Sequence, residues 1–277
     1  MEVELTDDRS VTDMTFFEDS EGKLRVNGMF GKGASYTAGI FYILVDFNSR
    51  QILDQAYNEF DKSFLTDGFT ERQKKKADKA EAKGKGMPQL YNYDFSDAII
   101  NEDGSMIGVL EQYYVVVSTY RDPRTGATTT TYTYYYNDLI VYKINPGGNF
   151  EYTKKIQKRQ ISTNDGGYYS SYAMYADGDK LHIFFNDNVK AYDESGDYIQ
   201  PETNREIEPT SFSKKRNVVA EVVFDTNNGA MERKQAFARK DTEAYAVPKK
   251  FATDYETRDM LIYLRMRKKE KFGSLKF

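Results

Sequence analysis

Acidic side chains are the residues of this sequence that are best suited to chemistry. Asp and Glu together number 43 in 277 residues. Two carboxylates that flank a glycosidic bond can supply the acid and the base of its hydrolysis, so a glycosidase-like pair is one interpretation. Glu111 is a candidate, because it follows Gly108-Val109-Leu110 in a strand-like run. No spacing selects its partner, and a carboxylate that only lines a surface or the centre of a ring is the alternative.

Other residue types that carry chemistry are scarce. The chain has one histidine and no cysteine, which excludes thiol nucleophiles, thiolate metal sites and histidine-rich zinc or iron sites. His182 has no Gly-x-Ser-x-Gly sequence to accompany it, so we predict a structural histidine. The turns at 177–179 and 193–197 are rich in Asp but lack the spacing of a calcium loop. The sequence therefore predicts no metal, no cofactor and no defined catalytic residue.

A long hairpin rich in Tyr and Thr is the most distinctive segment. Its strands are predicted at Met106–Tyr120 and Thr128–Asn145, joined by a turn at 122–126. Such an arm carries more tyrosine than its own sheet needs, so we predict that it docks a protein partner. Folding against a neighbouring sheet is the alternative. The predicted partner-binding residues are Tyr113, Tyr120, Arg124, Tyr132, Tyr134 and Tyr136.

The position of this turn also predicts how the two strands pair. With the turn centred near Arg124, Tyr113 should lie opposite Tyr135. Val117 should likewise lie opposite Thr131. Tyrosine is then expected on both faces of the arm.

These candidates lie on a repeated pattern of short strands. Alternating runs are separated by turns that contain Gly, Asn or Asp, and four copies are recognised, at 11–57, 91–161, 171–237 and 247–277. A single meander cannot bury both of its faces, whereas radial stacking of several meanders does so. The sequence therefore predicts an all-β, propeller-like single domain over residues 1–277, built of four-stranded antiparallel meanders.

The fourth copy ends after three predicted strands, at 247–253, 260–266 and 272–277. Two explanations are open. The segment Glu2-Val3-Glu4-Leu5 could close the ring as a missing strand, or the four copies could belong to a larger ring.

An insertion at residues 58–90 departs from the strand pattern. Phe60, Phe64 and Leu65 have helical spacing, and 71–85 is almost wholly charged or Ala, which predicts a solvated helix. This segment also holds the main basic cluster, formed by Lys74, Lys75, Lys76, Lys79, Lys83 and Lys85. Binding of an anionic partner or a lipid surface is one interpretation, and a merely solvated helix is the other.

Overall composition disfavours two further classes of function. The net charge is -4 and the pI about 5.4, without the basic footprint of a nucleic-acid reader. The apolar runs are too short for a transmembrane helix. Residues 1–15 have no apolar signal region, so we predict that the chain as given carries no signal peptide, although one could have been removed.

The turns of the repeats resemble those of exported β-propeller proteins of the Bacteroidota type, most of them uncharacterised. The residues that carry this resemblance are 19–22, 101–104 and 176–178, together with the run Leu181–Asn188, which looks like a strand followed by an Asn-Asp turn. The resemblance implies an extracytoplasmic setting, in the periplasm or at the cell surface. It further implies a role in a cell-envelope or secretion-related assembly, and it transfers no catalytic residue.

These observations lead to three hypotheses about function. The leading one is a non-enzymatic interaction or scaffold module that docks a protein partner through the tyrosine-rich hairpin. The second is a glycan-binding or glycan-cleaving propeller enzyme. The third, a purely structural subunit of an envelope complex, grades into the first.

Overall fold

The computed structural model describes residues 5, 9–18, 21–31, 36–201 and 206–277. The chain divides into two compact units. Unit 1 comprises Met1–Gln112 and Leu139–Ile156, and unit 2 comprises Tyr113–Asp138 and Gln157–Phe277. The two strands of the long hairpin therefore contribute residues to both units.

Unit 1 contains two antiparallel meanders, with strand orders β1-β2-β3-β4 and β5-β6-β7-β8. The turns before β2 and β6 contain Gly22 and Gly104 at φ values of 73° and 85°, a region of backbone space that favours glycine. The strands are β1 (Ser10–Glu18), β2 (Lys23–Gly31), β3 (Gly39–Asp46), β4 (Gln51–Glu59), β5 (Tyr93–Ile100), β6 (Met106–Arg121), β7 (Thr128–Ile144) and β8 (Phe150–Ile156).

One hydrophobic core is shared by the two meanders of unit 1. Met29 and Tyr42 from the first sheet join Met106, Leu110 and Tyr142 from the second, and all five are almost completely buried. Strand β3 and the 139–144 part of β7 carry buried apolar residues on both faces, which is the pattern of strands that are covered on both sides. Each such side chain contributes about 1.5–3 kcal/mol by its burial.

A glycine of the second strand lies beneath an aromatic ring of the third strand in both meanders of unit 1. Gly28 of β2 is paired with Phe41 of β3, and a Cβ atom at Gly28 would lie 1.9 Å from the ring. A Cβ atom at Gly108 of β6 would lie 2.1 Å from the ring of Tyr142 of β7. The second strands of both sheets therefore use the same packing device.

The insertion after β4 forms two helices, α1 (Lys62–Leu65) and α2 (Glu71–Glu81). Asp61 caps the first helix, and Thr70 caps the second in a capping box with Gln73. The Nζ atom of Lys62 lies 2.7 Å from carboxylate oxygens of both Asp78 and Glu81, which joins the two helices. The predicted charged helical insertion is confirmed.

Unit 2 contains the remaining sheets. Strand β9 pairs with β7 along Thr133–Tyr136, the third meander has the order β10-β11-β12-β13, and in the fourth sheet β16 pairs with β17 on one side and with β14 and β15 on the other. The elements are β9 (Gln160–Thr163), β10 (Tyr172–Asp177), β11 (Lys180–Asn188), β12 (Asn217–Asp225), β13 (Met231–Ala238), α3 (Arg239–Thr242), β14 (Tyr245–Ala246), β15 (Ala252–Asp254), β16 (Asp259–Met266) and β17 (Lys269–Lys276).

The predicted all-β, propeller-like fold of four-stranded meanders is confirmed, with one correction to its strands. Residues 247–253 are not one strand, because Pro248 cannot donate to a ladder and instead begins a 3₁₀ turn, Pro248–Lys250. Only Ala252–Asp254 forms a strand there. Of the proposed closing strand, residues 2–4 lie outside the described part of the chain. That residues 1–277 form a single domain stays a prediction.

None of the helices in the described ranges combines the length and the apolar character that crossing a bilayer requires. The longest, α2, has 11 residues and only Ala77 is buried. Its polarity fits a helix in contact with water.

Candidate functional site

Three carboxylates from three strands of unit 1 lie close together. Asp13 belongs to β1, Asp94 to β5 and Glu111 to β6. Asp94 and Glu111 are directly paired in the antiparallel register, so both project from the same face with Cβ atoms about 5 Å apart. Strand β1 lies beside β5, and the charge of Asp13 acts on Asp94. We call Asp13, Asp94 and Glu111 the acid cluster.

Strand alternation explains why Asp94 faces away from the core. Its neighbour Tyr93 is buried in the hydrophobic core of unit 1, and successive side chains of a strand point to opposite faces. A bulge then follows between Phe95 and Asp97. The register of the strand at this bulge changes, so that Asp94 is the residue of β5 that pairs with Glu111.

The three carboxyls of the acid cluster differ in their burial and in the effect of neighbouring charges. Glu111 is 5% exposed, Asp13 is half-buried and Asp94 is exposed. The pKa of Asp94 is raised, first because nearby protein atoms displace water from its carboxyl and then because the charges of Asp13 and Glu111 repel its negative form. A carboxyl whose pKa is raised beside other carboxylates is a usual feature of an acid and base pair.

No family model and no curated relative matches the sequence. Among solved structures, the chain is similar to a GH43 β-1,3-galactosidase with galactodeoxynojirimycin, at a TM-score of 0.32 and 10% identity over 95% of this chain and 70% of that one. Two mutants of the Synechocystis apocarotenoid oxygenase have TM-scores of 0.35 and 0.34 at 10% identity, over 96% and 98% of this chain. This chain spans about half of the oxygenase, 50% and 51%.

This finding corrects the leading sequence-based hypothesis. A non-enzymatic scaffold was predicted, whereas the similar structures are enzymes, and the first of them agrees better with the alternative of a glycan-cleaving propeller. The similarity is distant, so no residue role is taken from those proteins. The case for a reaction therefore rests on the acid cluster itself.

The hairpin residues that were predicted to bind a partner fall into two groups. Near the base of the arm, Tyr113 packs on Tyr136 at 4.6 Å between ring centroids, and the Nζ atom of Lys249 lies 4.7 Å from the centroid of Tyr136. Tyr134 pairs with Ser162 of β9. The base of the arm is thus packed within unit 2, as the alternative interpretation expected.

The tip of the hairpin is open to solvent. Tyr120 and Tyr132 are 64% and 45% exposed. Arg124 lies in the turn, where its backbone N–H donates to Oδ1 of Asp122 at 2.8 Å. That the six hairpin residues bind a protein stays a prediction, since nothing in the comparisons tests it.

The predicted pairing of the hairpin is wrong by one residue. Tyr114, and not Tyr113, stacks on Tyr135, with ring centroids 4.5 Å apart. The cause is the turn, which closes with the N–H of Asp122 donating to the carbonyl of Ala127. Its centre therefore lies after Arg124, and every facing pair shifts by one position.

His182 has the structural role that the sequence predicted. Its Nδ1 atom lies 2.8 Å from Oε1 of Glu221 on the neighbouring strand, and Lys234 lies 3.4 Å from the other oxygen of that carboxylate. Burial by itself would raise the pKa of Glu221, but the hydrogen bond from His182 and the charge of Lys234 outweigh burial and leave this pKa lowered.

This lowered pKa predicts how Glu221 contributes to stability. A carboxyl whose pKa is lower in the folded than in the unfolded state stabilises the fold above its unfolded pKa, and this contribution is lost as the pH falls through the folded pKa. Glu221→Gln should therefore reduce the free energy of unfolding at pH 7 by about 1 kcal/mol. The difference from the native protein should shrink below the ordinary glutamate pKa of 4.5 in urea unfolding. Glu232→Gln, an exposed position of the same sheet, should change neither value.

The Asp-rich turns have structural explanations. Oδ1 of Asp193 accepts hydrogen bonds from the backbone N–H groups of Ser195 and Asp197 at 2.8 and 3.0 Å, and Asp177 pairs with Arg258 at 2.6 Å. In the part of the chain that the structure describes, no three His, Asp or Glu side chains are arranged to hold a metal ion.

Two members of the acid cluster were missed by sequence reasoning. Glu111 was considered, but Asp13 and Asp94 were not. Their only signal was a charged residue inside an alternating strand run. That signal recurs at many solvent-facing positions, and only the β5–β6 register and the contact of β1 with β5 distinguish these two residues.

Proposed function

We propose that this protein hydrolyses a glycosidic bond with the acid cluster of unit 1. The observation that carries the proposal is the pairing of Asp94, whose pKa is raised, with the buried carboxylate of Glu111 on the adjacent strand. The reaction requires one carboxyl that gives a proton and one that accepts a proton.

Each carboxyl of the cluster has a role in this reaction. Because its pKa is raised and its side chain is exposed, Asp94 is the carboxyl of the cluster best suited to give a proton to the oxygen that leaves as the glycosidic bond breaks. Water adds to the anomeric carbon and passes its proton to Glu111 or Asp13, which leaves the cluster ready for another cycle after Asp94 is reprotonated. The negative charge of these two residues also stabilises the cationic sugar in the transition state.

The role of Asp94 predicts an unusual dependence on the leaving group. Asp94→Asn should lower kcat/KM by about 10²–10⁴-fold for glycosides with poor leaving groups, which need a proton donor. It should lower it far less for dinitrophenyl glycosides, whose leaving group departs without a proton. The measurement uses a panel of nitrophenyl, dinitrophenyl and methyl glycosides of the common pentoses and hexoses in both anomers.

Two further variants and one control complete this experiment. Glu111→Gln and Asp13→Asn show which carboxylate receives the proton of water, because its loss should slow all substrates equally. Asp97→Asn, on the same strand beyond the bulge, should leave hydrolysis unchanged. A native protein that cleaves no glycoside of the panel, or an Asp94→Asn variant as active as Asp97→Asn on methyl glycosides, would overturn the proposal.

The thermal stability of the Asp94→Asn variant distinguishes a catalytic role of Asp94 from a structural role. Because its pKa is higher in the fold than in the unfolded chain, its ionised form destabilises the fold at neutral pH. This penalty shrinks as the pH falls through the folded pKa and is gone below the unfolded pKa. Asp94→Asn should therefore unfold at the same temperature as the native protein or at a higher one. A structural carboxylate would show the opposite change.

A glycan substrate also fits the extracytoplasmic setting that the resemblance to exported propellers implies. Fractionation of the native cells tests this setting independently of activity. Recovery with cytoplasmic markers would remove it and leave the proposed reaction in place.

A further inference from the structure

Unit 2 contains a cavity of about 440 Å³ that lies outside the acid cluster. Asp187 at the end of β11 and Arg233 of β13 line it from below. Tyr198, Ile199 and Ile207 contribute apolar surface to its walls. The cavity lies within the size range of small-molecule binding sites.

The floor of this cavity is formed by buried polar groups that are hydrogen-bonded to one another. The hydroxyl of Tyr192 donates to Oδ2 of Asp187 at 2.6 Å, and Nε–H of Arg233 donates to the hydroxyl of Tyr192 at 3.0 Å. The guanidinium also donates to the carbonyl of Gln157 at 2.7 Å and pairs with Asp187. The side chains of Arg233 and Asp187 are only 10% and 5% exposed, so their positions are fixed.

One oxygen of this floor remains open to a ligand. Both bonds to Asp187 are made by Oδ2, and within the described ranges no group donates to Oδ1. Asp187 nevertheless lines the cavity. The guanidinium of Arg233 beside it has five N–H groups, more than its contacts use. The cavity floor therefore offers a hydrogen-bond acceptor and a donor side by side.

The wall next to this floor is aromatic. The guanidinium carbon of Arg233 lies 4.1 Å from the centroid of the Tyr198 ring, and Tyr192 meets that ring edge-on with centroids 5.9 Å apart. At the rim, Lys190 pairs with Glu208 at 3.0 Å. Because acids and bases line the cavity together, neither an anion nor a cation is favoured as a ligand.

We propose that this cavity binds one neutral sugar ring through two adjacent hydroxyl groups. One hydroxyl donates to Oδ1 of Asp187, and its neighbour accepts from the guanidinium of Arg233. The C–H face of the ring packs against Tyr198 and the apolar wall. This inference deepens the proposed function, since it names a sugar-recognition site, but it rests on the contacts of unit 2 alone.

The proposal is tested by direct binding to the full-length protein. Saturation-transfer NMR and calorimetry with glucose, galactose, mannose, xylose and arabinose should show binding of at least one of them at millimolar concentration. The preferred sugar should bind more tightly than its uronic acid or its 2-amino derivative. Tighter binding of either charged form, or no binding of any of the five sugars, would overturn the proposal.

Variants assign this binding to the cavity. Tyr198→Ala should weaken the preferred sugar at least tenfold, and Ile207→Trp, which fills the cavity without altering its floor, should do the same. Glu232→Gln, at an exposed position next to Arg233 that does not line the cavity, should bind as the native protein does. If both cavity variants are folded by circular dichroism and still bind normally, the site is elsewhere.

One further variant distinguishes this inference from the proposed reaction. Asp94→Asn should keep the full affinity for the sugar, because the acid cluster takes no part in this site. If the protein binds the sugar normally but cleaves no glycoside, the proposed function is wrong and this inference is unaffected. Loss of binding in Asp94→Asn would instead place the sugar at the acid cluster and overturn the inference.

Discussion

Gly108→Ala should destabilise the protein by about 3 kcal/mol or more, at the upper end of the cost of overpacking a core. The added Cβ would lie 2.1 Å from the ring of Tyr142 and 2.2 Å from its hydroxyl oxygen. Tyr142 is 2% exposed and packs in the core of unit 1, so the ring has no free space into which it could turn. Urea unfolding followed by far-UV circular dichroism measures the loss.

Two companion variants make this prediction specific. Gly28→Ala should cost a similar amount, because its Cβ would lie 1.9 Å from the ring of Phe41 in the first meander. Gly147→Ala is the control, since its Cβ meets nothing closer than 3.4 Å in an exposed turn, and it should stay within about 0.5 kcal/mol of the native protein. Equal stability of the Gly108 and Gly147 variants would show that the ring yields and that the packing argument fails.

Arg233→Met should cost about 3–5 kcal/mol, because it leaves the carboxylate of Asp187 buried without its positive partner. Burial alone would lower the pKa of Arg233, but the charge of Asp187 holds that pKa raised, so the guanidinium stays charged. The Arg233→Met/Asp187→Leu double variant should recover most of this loss, since it removes the stranded charge as well. Chemical unfolding of the two single variants and the double variant gives the coupling energy.

An exposed ion pair of the same unit provides the comparison. Arg258 donates to Asp177 at 2.6 Å, but its side chain is 55% exposed. Arg258→Met should therefore cost no more than about 1 kcal/mol. A loss at Arg233 as small as the loss at Arg258 would mean that water reaches the buried pair and compensates for the missing guanidinium.

Strands and turns are the part of the fold that could be predicted from the sequence, because both depend on neighbouring residues. Alternation locates a strand, and a glycine at positive φ, such as Gly104, marks the turn before the next one. The capping of α2 by Thr70 is equally local. The pairing of residues across a hairpin depends also on the length of the turn. The predicted pairing of the long hairpin was wrong by one residue because the length of its turn was misjudged.

The sites could not be predicted in the same way, because tertiary contacts create them. Asp94 acquires its raised pKa first from the packing that displaces water from its carboxyl, and then from the charges of Asp13 and Glu111, which β1 and β6 bring beside it. Asp187 was expected in an Asn-Asp turn, yet it lies at the end of β11 and is 3% exposed. Its guanidinium partner is 46 residues further along the chain, a separation that no local pattern encodes.

The sharing of β6 and β7 between the two units has a consequence for synthesis on the ribosome. Unit 1 takes up Leu139–Ile156 only after Tyr113–Asp138, which belongs to unit 2, has been made. The sheet edge at β6 must therefore wait for its partner while a Val-, Thr- and Tyr-rich segment is already outside the exit tunnel. This interval exposes an unpaired strand edge to other nascent chains, and slow translation across these residues would prolong it.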